Sequence, residues 1–188
     1  MVDISAYKYV MNIIVQTTSF DATSGLLIAG GKSYPCVLGR GGVTLEKTEG
    51  DGATPVGTFA IRHVYYRADK GDVPATGVAS TPVTQDMGWC DDPSHADYNQ
   101  LVTLPHAGCR DEKMYRTQDD VYDIIAVLSY NDDPVVPGRG SAIFMHVARP
   151  ELTPTAGCVA LKKEDLLAVL EECDADSYIS ILPPPDAA

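Results

Sequence analysis

Two continuous apolar runs stand out in the second half of the chain, 124–130 (I-I-A-V-L-S-Y) and 142–147 (A-I-F-M-H-V). Runs this short and unbroken predict strands covered on both faces, because a half-exposed strand would alternate. A third run, 159–161 (V-A-L), predicts another short buried strand. The segment 58–67 does alternate, which predicts a long strand with Tyr65 and Tyr66 on opposite faces. Residues 12–16 and 31–38 read as strands flanking a turn at 21–25, and 178–182 reads as a closing strand. Helical spacing is confined to 163–173, where Leu166, Leu167, Val169 and Leu170 form one face behind the acidic first turn of Glu164 and Asp165. That face is expected to pack behind 141–161, and 118–123 reads as a helical or turn entry to the strand that follows it. Gly and Pro punctuate 38–59, 69–84 and 134–140, which read as loops.

The 188 residues are 45% hydrophobic, enough for one compact core. With Gly, Pro, Thr, Val and Tyr plentiful and helical signal sparse, the class is mainly β with a few short helices. The expected organisation is an N-terminal extension over 1–11, one domain over 12–182 and a tail over 183–188. No stretch is long and apolar enough to span a membrane, and the first twelve residues do not read as a signal peptide. A net charge of -12 argues against a nucleic-acid partner, which would demand a basic face. By the same logic an acidic ligand must be held by locally placed arginines. Arg40, between glycines in the loop 38–59, is the first candidate. That loop lacks the Gly-Lys-Ser/Thr ending of a phosphate-binding loop.

Candidate chemistry centres on 141–161. His146 ends an apolar run, and Cys158 follows Gly157 just before the next. A free thiol is mostly protonated at neutral pH, so a neighbouring imidazole that takes its proton makes it a nucleophile. Gly157 allows close backbone approach, and the N–H groups around Gly157 and Cys158 are placed to meet an oxyanion. Taken singly, a cysteine is more often an inert buried residue and a histidine a hydrogen-bonded spectator. A second constellation, Cys90, His95, His106 and Cys109, is spaced C-x4-H-x10-H-x2-C. It is looser than a zinc ribbon, and Pro93 and Pro105 restrict the chain, so unconnected residues are favoured over a Cys90–Cys109 disulfide and over zinc. The five cysteines fit either one free thiol with up to two disulfides or five reduced thiols.

The stretch His146…Thr155-Ala156-Gly157-Cys158-Val159 resembles the active-site segment of the L,D-transpeptidases, the YkuD family. The run Lys47, Glu49, Gly50, Asp51, Gly52, Thr54, Pro55, Gly57 is similar to the K-x-E-G-D-G-x-T-P-x-G segment of one of its branches. The resemblance covers roughly 38–170 and implies a β-sandwich or barrel-like catalytic domain. It implies that Cys158 is the nucleophile and His146 its base, with no cofactor and no metal. It places Trp89 and Tyr98, from W-x-D-D-P…Y-N, near the cleft, and Arg139 matches the G-R-G-S before the histidine strand as an anchor for a substrate carboxylate. Thr155 is assigned to substrate binding and, by position, is also a candidate partner of the imidazole. Ala156 stands where many members have a second histidine and Ala160 where many have an arginine, which bears on substrate preference.

The implied activity is transfer of a peptidoglycan stem peptide through a Cys158 thioester to an amine of a second stem, with 3-3 or 1-3 regiochemistry, in the periplasm or cell envelope. An L,D-carboxypeptidase or endopeptidase on the same scaffold and a non-catalytic wall-binding module are the alternatives. Oligomeric state is not read from the sequence.

Overall fold

A computed structural model describes residues 11–185. The expected N-terminal extension, apart from Met11, and the last three residues of the expected tail lie outside the described residues. Fourteen strands and one helix follow in chain order. They are β1 (Asn12–Gln16), β2 (Ser24–Ala29), β3 (Lys32–Val37), β4 (Val43–Thr44), β5 (Thr54–Pro55), β6 (Gly57–Tyr66) and β7 (Ser80–Pro82). Then come β8 (Met87–Cys90), β9 (Leu101–Thr103), β10 (Asp111–Lys113), β11 (Ile124–Leu128), β12 (Phe144–Val147), β13 (Val159–Leu161), α1 (Lys163–Glu171) and β14 (Tyr178–Ile181).

The main sheet runs β11-β12-β13-β3-β2-β1-β14-β6, and β6 pairs back onto β11, so eight strands close into a barrel with β7 added beside β6. The long β6 makes closure possible: its first half pairs with β14 and its second half with β11. The described residues thus form a mainly β, barrel-like domain: the β class follows the composition and the barrel form the resemblance, with one short helix where a few were expected.

Alternate residues of the central strands feed two different cores. Ile124, Ala126 and Leu128 of β11, Met145 and Val147 of β12, and Val159 and Leu161 of β13 join Leu166, Val169 and Leu170 of α1 in the larger core. Ile125 and Val127, Phe144 and Cys158 point the other way, into a second core with Trp89, Met114, Val121 and Tyr122. This is the physical reason that β11 and β12 carry no polar alternation. The helix face expected to pack behind the 141–161 segment does so, through that larger core.

The second core is roofed by a separate three-stranded sheet, β10-β8-β9, hereafter the flap. The sequence pattern does not disclose it, since its strands are three or four residues long and β10 is Asp-Glu-Lys. Nor does the pattern disclose β2, which begins inside the expected turn, and 118–123 holds turns and bends rather than a helix. Cys90 and Cys109, favoured as unconnected in the sequence, are joined by a disulfide. The cause is register: β8 and β10 are antiparallel with Asp111 opposite Cys90, which delivers Cys109 to the end of β8. The bridge closes a separation of 19 residues, a constraint worth about 3 kcal/mol on the chain-entropy model. Replacing both cysteines with serine is expected to lower the midpoint of urea unfolding by a corresponding amount; an unchanged midpoint would mean that the flap opens independently of the barrel.

Candidate active site

Strand register brings the reactive side chains together. β12 and β13 are parallel neighbours, with Met145 opposite Val159 and His146 opposite Ala160. Cys158 is two residues before Ala160, so Cys158 and His146 share one face of the sheet. That face is the outer one, under the flap.

Each side chain is held by backbone. The imidazole Nδ1–H of His146 donates to the Val147 carbonyl at 2.9 Å, leaving the Nε2 lone pair as the proton acceptor. The ring of Tyr122 stands edge-on to the imidazole at 5.5 Å between centroids. The Cys158 Sγ–H donates to the Ala142 carbonyl at 3.2 Å, and the Phe144 N–H donates to the sulfur at 3.4 Å. Ala142 sits in the left-handed region at φ 53°, a costly conformation for alanine. Asn99 holds it there: Oδ1 accepts from the Ala142 N–H and from the Trp89 indole N–H, both at 3.0 Å, while Nδ2 donates to the carbonyls of Tyr130 and Asn131.

The turn before Cys158 is closed on itself. Thr155 Oγ1 donates to the Cys158 carbonyl at 2.7 Å and accepts from the Gly157 N–H at 3.1 Å. The Gly157 N–H, expected to face an oxyanion, is therefore taken up within the turn. Gly157 has φ 138°, and a Cβ there would stand 2.9 Å from the Ala53 carbonyl oxygen and 3.4 Å from Lys47 Nζ. Glycine is the residue that fits both the dihedral and the space.

Cys158 and His146 open onto a cavity of about 320 Å³. Five cations line it, Arg40, Lys47, Arg110, Arg116 and Arg149, against three carboxylates, Glu49, Asp91 and Glu112. A chain of net charge -12 thus concentrates positive charge at this place. Among the described residues Arg40 has no ion-pair partner, whereas Arg116 is held to Glu112 at 2.6 Å and lies over the Tyr122 ring. Lys47 is buried and bonded to Asp51 at 2.7 Å, and together with two backbone N–H groups it keeps the Asp51 carboxyl below its usual range despite some burial.

Burial dominates the protonation states of the pair. Burial, with the Glu112 carboxylate adding to it, pushes the Cys158 thiol up to about 12, against a smaller lowering from the Phe144 N–H, Lys47 and Arg116. It pulls His146 down to about 4. The resting pair is a neutral thiol beside a neutral imidazole.

Of the residues singled out in the sequence, Arg40, His146, Thr155 and Cys158 line this cavity. Trp89 lines a different cavity with Tyr65 and Val127. Tyr98 is buried behind the wall, its hydroxyl donating to Glu49 at 2.5 Å and accepting from the Gly140 N–H at 3.0 Å. Arg139 is exposed and stands outside the lining, its carbonyl accepting from the Tyr130 hydroxyl. Arg110, Glu112, Arg116, Tyr122 and Arg149 also line the cavity, and none of them is singled out in the sequence as a site residue.

Residues 15–181 match the YkuD family, the L,D-transpeptidase catalytic domain. The chain belongs to that family. A comparison with curated proteins finds no significant match. Among solved structures, an L,D-transpeptidase from Mycobacterium smegmatis is 11% identical with a TM-score of 0.41, covering 91% of this chain and 58% of that one. L,D-transpeptidase 1 of Mycobacterium tuberculosis is 11% identical with a TM-score of 0.38, covering 92% and 62%. L,D-transpeptidase 3 of the same organism, in complex with a faropenem-derived adduct, is 11% identical with a TM-score of 0.42, covering 92% and 60%. The chain spans about three fifths of the length of these proteins. This YkuD domain contains no helix, among the described residues, long and apolar enough to cross a membrane.

Proposed function

We propose that this YkuD domain is a cysteine-dependent L,D-transpeptidase acting on peptidoglycan stem peptides, with Cys158 as nucleophile and His146 as general base. The observation that carries the reading is the shared outer face of Cys158 and His146, fixed by the β12–β13 register and opening onto a cation-lined cavity.

The protonation states define the first step. Because thiol and imidazole are both neutral at rest, the Sγ proton passes to His146 Nε2 as the sulfur attacks the carbonyl carbon preceding a terminal D-residue. The Phe144 N–H, Lys47 and Arg116 favour the negative charge that develops on the sulfur, against the opposing carboxylate of Glu112. Within the 155–158 turn the Cys158 N–H is the donor assigned to the oxyanion, since Thr155 occupies that of Gly157. His146 then returns the proton to the leaving amine, and a thioester remains on Cys158. An amine of a second stem attacks the thioester, yields its proton to His146, and the thiol is re-formed as the new amide closes. No cofactor enters these steps.

Arg40 is assigned to a substrate carboxylate, being the cavity arginine without an ion-pair partner among the described residues. Arg139, outside the lining, is retained as an anchor for the more distant part of a stem. Trp89 and Tyr98 act through Asn99 and Glu49, holding Ala142 and the strand entry rather than touching the stem. The protein is assigned to the periplasm or cell envelope, a reading supported by the family's cell-wall substrate and by the Cys90–Cys109 disulfide.

The test is incubation with isolated disaccharide tetrapeptide and identification of products by fragmentation mass spectrometry. A cross-linked dimer lacking one terminal residue is expected, and its fragments assign 3-3 or 1-3 linkage. Release of that residue without dimer would replace transfer by hydrolysis, and unchanged substrate would defeat the reading for this donor.

A further inference from the structure

The flap holds a second cluster of reactive side chains, removed from Cys158. His95, Asp97 and His106 each offer one ligand atom, and the three atoms lie within 4.8 Å of one another. His106 Nε2 is 3.0 Å from Asp97 Oδ2, and His95 Nδ1 is 3.7 Å from the same oxygen. Ligands bound at about 2.0–2.2 Å in a tetrahedral zinc site stand roughly 3.3–3.6 Å apart, a separation that the two distances bracket. The imidazole rings are already turned edge to face at 4.9 Å.

The rest of the flap holds this arrangement in place. All three residues lie between Cys90 and Cys109, so the disulfide ties the ends of the segment that carries them. The Asp97 N–H donates to His95 Nδ1 at 3.1 Å, which fixes the tilt of that ring. The sequence spacing of Cys90, His95, His106 and Cys109 ranks zinc below unconnected residues; in the structure the sulfurs are consumed in the disulfide, and it is Asp97 that stands beside the two histidines.

We propose that His95, Asp97 and His106 form a binding site for a divalent transition metal, with zinc the ion best matched to two imidazoles and one carboxylate. The side chains are 22%, 44% and 26% exposed, which leaves the fourth position open to water. Binding displaces the hydrogen shared by His106 and Asp97 and requires His95 to present a lone pair, either Nδ1, now facing the Asp97 N–H, or Nε2. The ion would pin the loop between Asp91 and Arg110, a salt-bridged pair at 2.9 Å that lines the catalytic cavity. It would therefore stiffen the rim of that cavity without touching the reacting atoms.

The experiment uses the disulfide-intact chain carrying Cys158→Ser, so that the catalytic thiol cannot contribute a ligand. Zinc is titrated by calorimetry in non-reducing buffer, and cobalt(II) replaces it for absorption spectroscopy. One ion per chain is expected, with the intense visible bands of four-coordinate cobalt. His106→Ala is expected to weaken binding at least tenfold, and Asp97→Asn, which keeps the shape of the carboxylate, to do likewise. Absence of uptake, or uptake unchanged in both variants, would overturn the proposal. Uptake by the unmodified chain that vanishes in Cys158→Ser would place the metal on the catalytic thiol and overturn it equally. None of these readouts depends on transpeptidation, so the two readings stand or fall separately.

Discussion

Cys158→Ala is expected to reduce formation of cross-linked product by at least about 10⁴-fold while leaving the barrel folded. No other residue in the cavity replaces the sulfur. Cys36 and Cys173 are buried in the larger core, on the opposite side of the sheet. Alanine removes two modest hydrogen bonds, one to the Ala142 carbonyl and one from the Phe144 N–H, and leaves a void about the size of the sulfur. The far-ultraviolet spectrum and the urea midpoint should therefore stay close to those of the parent. Residual turnover within tenfold of the parent would remove the thioester from the mechanism. Loss of turnover with a collapsed spectrum would instead mark Cys158 as a packing residue, and Cys158→Ser then separates the two by restoring volume without a comparable nucleophile.

His146→Gln is expected to slow transfer by about 10²–10⁴-fold, the usual contribution of a positioned base. The same variant has a stability signature. In the folded chain burial holds His146 at about 4, whereas in the unfolded chain it titrates near 6.5. Between those values the unfolded state binds a proton that the native state refuses, so stability falls as pH drops from about 6.5 to about 4 and changes no further from this source below that. The full difference is about 3 kcal/mol. Glutamine does not titrate, so the gap between parent and variant in urea unfolding should change by that amount from pH 7 to pH 4. Carboxylates paired in the native state, such as Asp51, contribute equally to both proteins and cancel. A pH-independent gap would mean that His146 is more exposed, and more basic, than this site allows.

The sequence made β11, β12, β13 and α1 legible for one reason: each buries a continuous apolar surface, and continuity shows in a linear string. The neighbourhood of Cys158 and His146 was legible because His146 lies on one such strand and Cys158 immediately precedes another. What stayed hidden depends on pairing across distance. β10 is Asp-Glu-Lys and becomes a strand only because β8 supplies its hydrogen bonds. The disulfide follows from that same register, which no local spacing encodes. Glu112 and Arg116 belong to no pattern in the string, yet the chain through and just after β10 brings them to the same cavity as His146 and Cys158. Trp89 and Asn99 were closer to view, but their role passes through one side chain to the strained carbonyl of Ala142, a relation with no sequence period.

The covered, neutral state of Cys158 also bears on how long the proposed activity lasts. Peroxide and similar oxidants attack thiolates far faster than thiols, and the first product, a sulfenic acid, leads on to irreversible forms. A cysteine poised permanently as an anion would be short-lived in the oxidising surroundings in which disulfides such as Cys90–Cys109 persist. Here the sulfur keeps its proton, donated to the Ala142 carbonyl, and on the proposed mechanism gives it up only as it attacks a peptide carbonyl. In the proposed mechanism, the roof that keeps Cys158 unreactive at rest also shields it from chemical ageing between turnovers.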